Sequence, residues 1–226
     1  LERSVGESKK ETAGQLLAFA KPDYGRFKEI VPGEEHKYPT VVTVSLKGSG
    51  RLIFSPLSDR DVREVSKIMQ PATVFLDKEA TEDRFKENAG RFPDVYVSSH
   101  AIVDESRPLY SLIAFAQDDD PREDGFLHTY EVFNLQLNAD LVTLSACETG
   151  LGKLSRGEGF IGLTHAFLYA GAHSVLVSLW SVDESTSRIM KDFYQNLKDG
   201  MIKTEALRHA KMKLIKTRDN GISFSH

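Results

Sequence analysis

The sequence lacks the cysteine pairs, the ligand spacing and the long apolar runs that disulfides, zinc sites and membrane spans respectively require. Its 226 residues include one cysteine, Cys147, and one tryptophan, Trp180. A single cysteine cannot form an internal disulfide, and without a His-x-x-x-His pair the ligand spacing of a zinc site is missing too. No apolar run reaches the roughly 18 residues of a membrane-spanning helix, and the N-terminus lacks the hydrophobic segment of a signal peptide. We therefore expect a cytoplasmic protein with no metal, no other cofactor and no membrane contact.

The net charge of the chain is also small. The chain carries 29 Lys and Arg against 33 Asp and Glu, a formal net charge of -4, which argues against a nucleic acid or an anionic membrane as a partner. Hydrophobic residues make up 40% of the chain, which is enough for a sizeable core. The polar residues 1–14 predict a flexible lead-in, and residues 15–226 predict one domain. Because the chain starts at Leu1 rather than Met, we expect a fragment, a processed product or an expressed segment.

Apolar runs without polar alternation predict parallel strands that are covered on both faces. The main runs are 95–98, 141–145 and 174–179, with further strands predicted at 15–20 and 73–76 and a hairpin at 41–46 and 51–54. Helical periodicity lies at 58–69, 79–89, 160–170 and 189–197, and again from Thr204 onward. This alternation predicts an α/β fold in which helices flank a mostly parallel central sheet.

The ends of several elements carry more specific expectations. Ser58 or Asp59 is predicted to cap the first helix, and Thr204 the last one. The apolar residues of that last helix that we expect to face inward are Leu207, Ala210, Leu214 and Ile215. The acidic, proline-broken residues 117–125 predict a surface loop.

Cys147 and His100 each follow an apolar run, at the point where chemistry is found in open α/β sheets. If the two runs are neighbouring parallel strands, about 4.8 Å apart, their ends bring the two side chains within reach. A thiol attacks a carbonyl group as thiolate, and a nearby imidazole lowers its pKa and later protonates the leaving amine. The two residues therefore predict the catalytic pair of a thiol protease. The alternative is an inert, buried Cys147 and a His100 at the surface.

The sequence after Cys147 is rich in glycine. Its glycines are Gly150, Gly152, Gly157 and Gly159. Such a segment can turn sharply and expose backbone N–H groups. The N–H groups of Cys147 and Ala101 are candidate donors to the oxyanion of a tetrahedral intermediate.

Trp180 and Asp183 follow the next predicted strand and are expected at the same edge of the sheet. Trp180 is a candidate wall of a substrate cleft, and Asp183 or Glu184 is a candidate acceptor for a basic substrate side chain. The alternative for Asp183 is the N-cap of the helix that follows.

Four motifs in order resemble the CHAT domain family, a group of caspase-like cysteine peptidase domains related to separase and usually attached to TPR repeats. These motifs are Leu144-Ser145-Ala146-Cys147-Glu148-Thr149-Gly150, Arg156-Gly157-Glu158-Gly159, Ala166-Phe167-Leu168-Tyr169-Ala170-Gly171-Ala172 and Ser178-Leu179-Trp180-Ser181-Val182-Asp183. The resemblance implies a caspase-like sandwich, with Cys147 as the nucleophile and His100 as general base and acid. It also implies an oxyanion hole at the backbone of Ala101 and Cys147, although many members have Gly where this chain has Ala101.

The same resemblance implies a protein substrate and a partner module. The segment around Trp180 and Asp183 is similar to the part of separase that lines the pocket for the residue before the cut. It therefore favours cleavage after Arg or Lys. TPR repeats, attached or separate, are the expected sensor module, and bacterial members of the family act in defence, where a gasdermin-like effector is a possible target.

Two readings from other classes remain beside the protease. The chain is alternatively a non-catalytic caspase-like module that binds a partner, or a different cysteine-dependent acyl transferase on a similar sheet. Retention of both His100 and Cys147 favours the protease over the non-catalytic module, and the specific motifs favour it over the acyl transferase.

Overall fold

The computed structural model describes most of the chain. The described residues are 14–24, 42–45, 51–54, 58–104, 107–116, 123–148, 158–178 and 184–219, of which 42–45, 51–54, 146–148, 158–160, 184–185 and 217–219 are described by their backbone.

Nine strands and six α-helices follow one another along the described residues. In chain order they are β1 (Leu16–Pro22), β2 (Val42–Ser45), β3 (Arg51–Phe54), α1 (Arg60–Ile68), β4 (Ala72–Asp77), α2 (Glu82–Asn88), β5 (Asp94–Ile102), β6 (Leu112–Ala114), β7 (Phe126–His128), α3 (Thr129–Val132), β8 (Leu141–Glu148), α4 (Glu158–Tyr169), β9 (Val175–Val177), α5 (Glu184–Lys198) and α6 (Lys203–Asp219). Within these residues, no helix combines the length and the apolar character that crossing a lipid bilayer requires.

The central sheet has a parallel core with an antiparallel extension. Strands β4, β1, β5, β8 and β9 lie side by side in that order, and each pair of neighbours is parallel. The end of β5 also pairs with β6, and β6 with β7, both antiparallel. The short strands β2 and β3 form a separate antiparallel pair. Strands β5 and β8 are therefore the centre of the fold.

Helices cover both faces of the parallel core, as its unbroken apolar runs predict. On one face, helices α2, α3 and α4 pack against alternate strand residues, with Phe19 and Phe85 at the centre. On the other face, α1, α5 and α6 pack around Tyr96 and Tyr194. The expected α/β fold with helices flanking a mostly parallel sheet is confirmed. It has the caspase-like arrangement of layers.

Strands β5 and β8 run further than the apolar pattern predicts. The predicted ends were residues 98 and 145, whereas β5 continues to Ile102 and β8 to Glu148. Polar residues can extend these strands because the hydrogen bonds of the sheet satisfy their backbone N–H and C=O groups, whatever the polarity of the side chains. His100 and Cys147 consequently lie within the sheet, near its carboxyl edge, rather than beyond it.

One predicted helix cap is wrong, and the other is correct in position but makes no capping bond with its side chain. Helix α6 begins at Lys203, so Thr204 lies in its first turn, and Ile215 is 51% exposed instead of facing inward. Asp59 does occupy the N-cap position of α1, but its side chain makes no capping bond. It pairs instead with the guanidinium of Arg63, one turn along the helix, at 2.7 Å.

The predicted lead-in lies outside the described residues except for Gly14.

Candidate active site

The register between β5 and β8 places His100 and Cys147 side by side. In this parallel pair, Ser98 is the partner of Ser145, and His100 is the partner of Cys147. Partners in a parallel pair occupy the same face of the sheet, since side chains alternate along both strands with the same period. The expectation that the two strands are parallel neighbours is confirmed.

His100 is enclosed by the protein rather than exposed at its surface. Every residue of β5 from Asp94 to Ala101 is buried, and His100 is 0% exposed. This excludes the alternative of a surface histidine. For Cys147, the structure describes the backbone and its pairing in β8.

Tyr24 contacts His100 from the end of the neighbouring strand β1. The ring centroids of the two residues lie 5.7 Å apart, with an angle of 46° between the ring planes. The Tyr24 hydroxyl and Ser99 Oγ are 2.9 Å apart. The Ser99 hydroxyl in turn donates to the backbone carbonyl of Ala114 in β6. Tyr24 thus connects three strands around the imidazole.

A buried carboxyl group lies on the same face of β5, next to Ser98. Asp61 of α1 is 1% exposed, and its Oδ2 accepts hydrogen bonds from the Tyr96 hydroxyl at 2.9 Å and from Ser98 Oγ at 3.3 Å. Burial raises the pKa of Asp61, while the hydrogen bonds from Tyr96, from the Val62 backbone and from the neighbouring serines lower it in part. Because Tyr96, Ser98 and His100 occupy alternate positions of β5, this polar cluster lies on the same face of the sheet as the imidazole, nearer the start of the strand.

Further from His100, a second polar pair fixes the middle of β8. The hydroxyl groups of Thr143 and Tyr194 lie 2.8 Å apart, and the Tyr194 ring lies 5.8 Å from that of Tyr96. Burial raises the pKa of Tyr194 far above its usual range. The hydroxyl groups of Tyr96, Thr143 and Tyr194 therefore all have hydrogen-bond partners, as is usual for buried polar groups.

Comparison with known protein families identifies the family of this chain. The CHAT domain profile matches residues 2–224. The chain belongs to the CHAT domain family. The match extends over nearly the whole chain and agrees with the motifs from Leu144 to Asp183.

Two mammalian proteins contain segments similar in sequence to this chain. Tetratricopeptide repeat protein 28 of Homo sapiens is 37% identical over 107 residues, which are 47% of this chain and 4% of the human protein. The protein of the same name from Mus musculus is 34% identical over 135 residues, 59% of this chain and 5% of the mouse protein. The aligned part is thus a small fraction of each of these relatives.

The remaining predicted site residues of this CHAT domain are described to different extents. Ala101 is fully buried and is paired with Ile113 of β6 and with Glu148 of β8. Trp180 and Asp183 lie outside the described residues, as do the glycines at 150, 152 and 157. Strand β9 ends at Val177 and α5 begins at Glu184. Because β9 is parallel to β8, the chain leaves β9 at the edge of the sheet where β5 and β8 also end.

An acidic cluster on the opposite face of the sheet is separate from this site. The carboxylates of Glu82, Glu123 and Glu131 lie close together. The ammonium group of Lys86 is 2.8, 2.6 and 2.7 Å from them, respectively. Burial raises the pKa of Glu82 to about 7, although its contact with Lys86 lowers it. Lys86 contacts all three carboxylates, so the cluster is an ion-pair network that joins α2 to α3.

Sequence reasoning missed Tyr24 and Asp61. Tyr24 follows the end of an apolar run, which is the signal that identified His100 and Cys147, but an aromatic residue there resembles ordinary core. Asp61 shares the buried face of α1 with Val62 and Val65, and a charge at such a position is a usable signal of a polar cluster. Neither residue's contact with β5 is encoded in local spacing.

Proposed function

We propose that this CHAT domain is a cysteine endopeptidase that uses His100 and Cys147 as a catalytic pair. The observation that supports this most is the register partnership of the two residues on neighbouring parallel strands. A buried imidazole, partnered in register with a cysteine near the carboxyl edge of a parallel sheet, matches the arrangement that nucleophilic catalysis by a thiol uses.

The proposed reaction has two halves that balance in protons. The Cys147 thiol gives its proton to the His100 imidazole, and the thiolate attacks the carbonyl carbon of the scissile amide. The C–N bond then breaks as the imidazolium protonates the departing amine, which leaves a thioester on Cys147. Water attacks the thioester and gives a proton to His100, and the acid product leaves as the thiol is restored.

Backbone N–H groups and an acidic pocket complete the proposal. The N–H groups of Ala101 and Cys147 stabilise the oxyanion of each tetrahedral intermediate. Asp183 accepts the guanidinium or ammonium group of the residue before the cut, and Trp180 lines that pocket. This assigns a preference for Arg or Lys in a protein substrate.

A TPR module is the proposed regulator of the activity. The two relatives are named as tetratricopeptide repeat proteins, and the chain spans a few per cent of their length. A helical-repeat module in the same protein or a separate one would recruit the substrate or unlock the site. The cytoplasmic setting and a role in bacterial defence are further parts of the proposal that rest on the family resemblance.

The test compares cleavage of peptide amides that differ in the residue before the cut. Wild-type protein is expected to cleave after Arg or Lys, and Cys147→Ala and His100→Ala to lose activity by at least about 10³-fold. Asp183→Ala is expected to lose the preference for basic residues while it keeps some activity. Asp199→Ala removes an exposed acid at the end of α5 and serves as the matched control with unchanged kinetics.

A non-catalytic binding module is the second candidate. Its specific support is a set of exposed aromatic and aliphatic side chains on α4, α3 and the turn before β6. The residues are Leu109, Tyr110, Tyr130, Ile161 and Tyr169, each between 43% and 77% exposed. If no peptide is cleaved and a thiol-reactive peptide probe fails to label Cys147, this candidate replaces the protease; selective labelling without cleavage indicates an enzyme that needs its activator.

A further inference from the structure

We infer that Tyr24 is a positioning residue for the proposed His100–Cys147 reaction. Its ring lies against the His100 imidazole, with centroids 5.7 Å apart, and its side chain is 7% exposed. The inference rests on the proposed function, because a positioning role needs a reacting imidazole to act on. The proposed role of Tyr24 is to act through His100 rather than by contact with the scissile bond or with Cys147.

A chain of hydrogen bonds holds the Tyr24 ring in place. The Ser99 hydroxyl donates its single proton to the Ala114 carbonyl, so the Tyr24 hydroxyl must be the donor in its 2.9 Å contact with Ser99 Oγ. Ser99 is the residue directly before His100 and is fully buried. The ring therefore cannot move away from the imidazole without breaking a buried bond to the same strand.

The backbone before Tyr24 bends in a way that brings it to His100. The pairing of β1 with β4 shifts register between Ala20 and Pro22. Lys21 has φ of 50°, and Asp77, the register partner of Pro22, has φ of 52°. Both values lie in the left-handed region that residues other than glycine rarely adopt. The Asp23 N–H bonds to the Asp77 carbonyl at 3.0 Å. Such bulges redirect side chains near functional sites, and this one turns the chain toward β5.

An aromatic ring next to the imidazole favours its protonated form. The face of an aromatic ring attracts a cation within about 6 Å of its centroid. His100 carries a positive charge after it accepts the thiol proton, so Tyr24 stabilises the imidazolium–thiolate state. Among the described residues, Tyr96 of β5 and its hydrogen-bond partner Asp61 of α1 are titratable groups on the same face of the sheet as His100, and Tyr24 supplies the ring contact.

The test measures the ionisation of Cys147 and the turnover of peptide in Tyr24 variants. Because Cys147 is the single cysteine of the chain, the rate of alkylation by iodoacetamide as a function of pH reports its thiolate. Tyr24→Leu is expected to raise the apparent pKa of the thiol by about half to one unit. It is also expected to lower kcat by about tenfold with little change in KM. Tyr24→Phe keeps the ring and is expected to restore the wild-type pH profile with a loss in kcat of about threefold or less.

Tyr194→Phe is the matched control. Tyr194 is also a buried tyrosine, and it too shares its hydroxyl with a side chain of the sheet, at 2.8 Å from Thr143. Tyr194→Phe removes one buried hydroxyl group, as Tyr24→Phe does, and is expected to have a similar effect on stability. If the effect of Tyr24 is specific, Tyr194→Phe leaves the pH profile of Cys147 alkylation unchanged. Where Tyr24→Leu fails to fold, Tyr24→Met fills the same space with a flexible side chain and carries the same expectation.

Two outcomes separate failure of this inference from failure of the proposed function. If wild-type Cys147 ionises at a depressed pKa and the folded Tyr24→Leu or Tyr24→Met protein keeps that profile and kcat, the Tyr24 inference is wrong and the protease proposal stands. If wild-type Cys147 ionises like an ordinary thiol, at about 8.5, and no peptide is cleaved, the protease proposal fails and the Tyr24 inference fails with it.

Discussion

His100 of β5 and Cys147 of β8 are direct register partners in a parallel strand pair at the centre of the sheet. The pair stands two residues beyond Ser98 and Ser145, which are also partners and are both buried. The main chain of two long, hydrogen-bonded strands thus sets the spacing of the candidate catalytic positions. A site supported by strands is held more precisely than one supported by loops.

Removal of the Asp61 carboxyl group should destabilise the domain. Asp61→Ala leaves the buried hydroxyl groups of Tyr96 and Ser98 without their acceptor. We expect a loss of about 2–5 kcal/mol in the free energy of unfolding. Asp61→Asn keeps one acceptor oxygen and should lose about half as much or less. Urea unfolding at neutral pH measures both variants.

The control for Asp61 is Asp59→Ala, at the start of the same helix. The Asp59 carboxylate pairs with Arg63, whose side chain is 57% exposed, and such pairs contribute about 1 kcal/mol or less. If Asp59→Ala costs as much as Asp61→Ala, the polar cluster around Asp61 has no special role in stability.

A glycine at the end of α4 should tolerate alanine much less well than its counterpart at the end of α5. Both helices end in the same way: the Gly171 and Gly200 N–H groups bond to carbonyls three residues back, at 3.2 and 2.9 Å. Both glycines have positive φ, of 114° and 89°. A Cβ at Gly171 would lie 2.3 Å from the Leu137 carbonyl oxygen, whereas nothing lies within 4 Å of one at Gly200.

Thermal and urea unfolding of the two alanine variants distinguish the cost of backbone strain from the cost of a steric clash with Leu137. Gly200→Ala should cost about 1–2 kcal/mol, because left-handed backbone is unfavourable for alanine. Gly171→Ala should cost about 1–3 kcal/mol more, since the Leu137 segment must also shift. Equal losses in the two variants would contradict the crowding at Leu137.

The pH dependence of stability should contain a contribution from Glu82. Burial raises its pKa from 4.5 to about 7 in the folded protein, so the folded state binds the proton more tightly than the unfolded state. Stability must then fall as the pH rises from about 4.5 to about 7, by up to about 3 kcal/mol. Glu82→Gln removes this contribution to the pH dependence of the free energy of unfolding.

Urea midpoints at pH 5 and pH 7.5 check that sign. The stability of the wild type relative to Glu82→Gln should decrease between these two values. Glu87→Gln removes an exposed carboxylate from the same helix and controls for the change in net charge. An increase of the wild-type advantage with pH would show that the Lys86 contact outweighs burial.

Phe85 should be among the most costly aromatic side chains to remove. It is 0% exposed, and its ring lies 5.5 Å from that of Phe19 and 5.3 Å from that of Phe115. Phe85→Ala should lose about 3–5 kcal/mol in the free energy of unfolding. Tyr169→Ala, at a position that is 77% exposed, should change it by about 1 kcal/mol or less. Similar losses would argue against a core centred on Phe85.

The sequence predicts the centre of this fold better than its margins. Long apolar runs, such as those that end before His100 and Cys147, indicate parallel strands because both their faces are buried. The three-residue strands β6 and β7 are too short to show any period, and they were missed. They form because their backbones complete the pairing at the end of β5, which is a tertiary effect.

Some residues of the candidate site could likewise be predicted from the sequence, and others could not. His100, Cys147 and Ala101 are recognisable because each belongs to a strand end with a local signature. Tyr24 and Asp61 are not, since their importance comes from contacts with β5 across long stretches of sequence. The inward position predicted for Ile215 failed for a related reason: helical period alone does not say where packing against a neighbour ends.

The single cysteine makes the pairing of β5 and β8 a reporter of folding. Bringing His100 and Cys147 together closes a loop of roughly 50 residues, at an entropic cost of about 3–4 kcal/mol, so an unfolded chain does not form the pair. The thiol would then change its reactivity when the centre of the sheet assembles. Pulse labelling of Cys147 during refolding would time that event from an intrinsic group, without an added fluorophore.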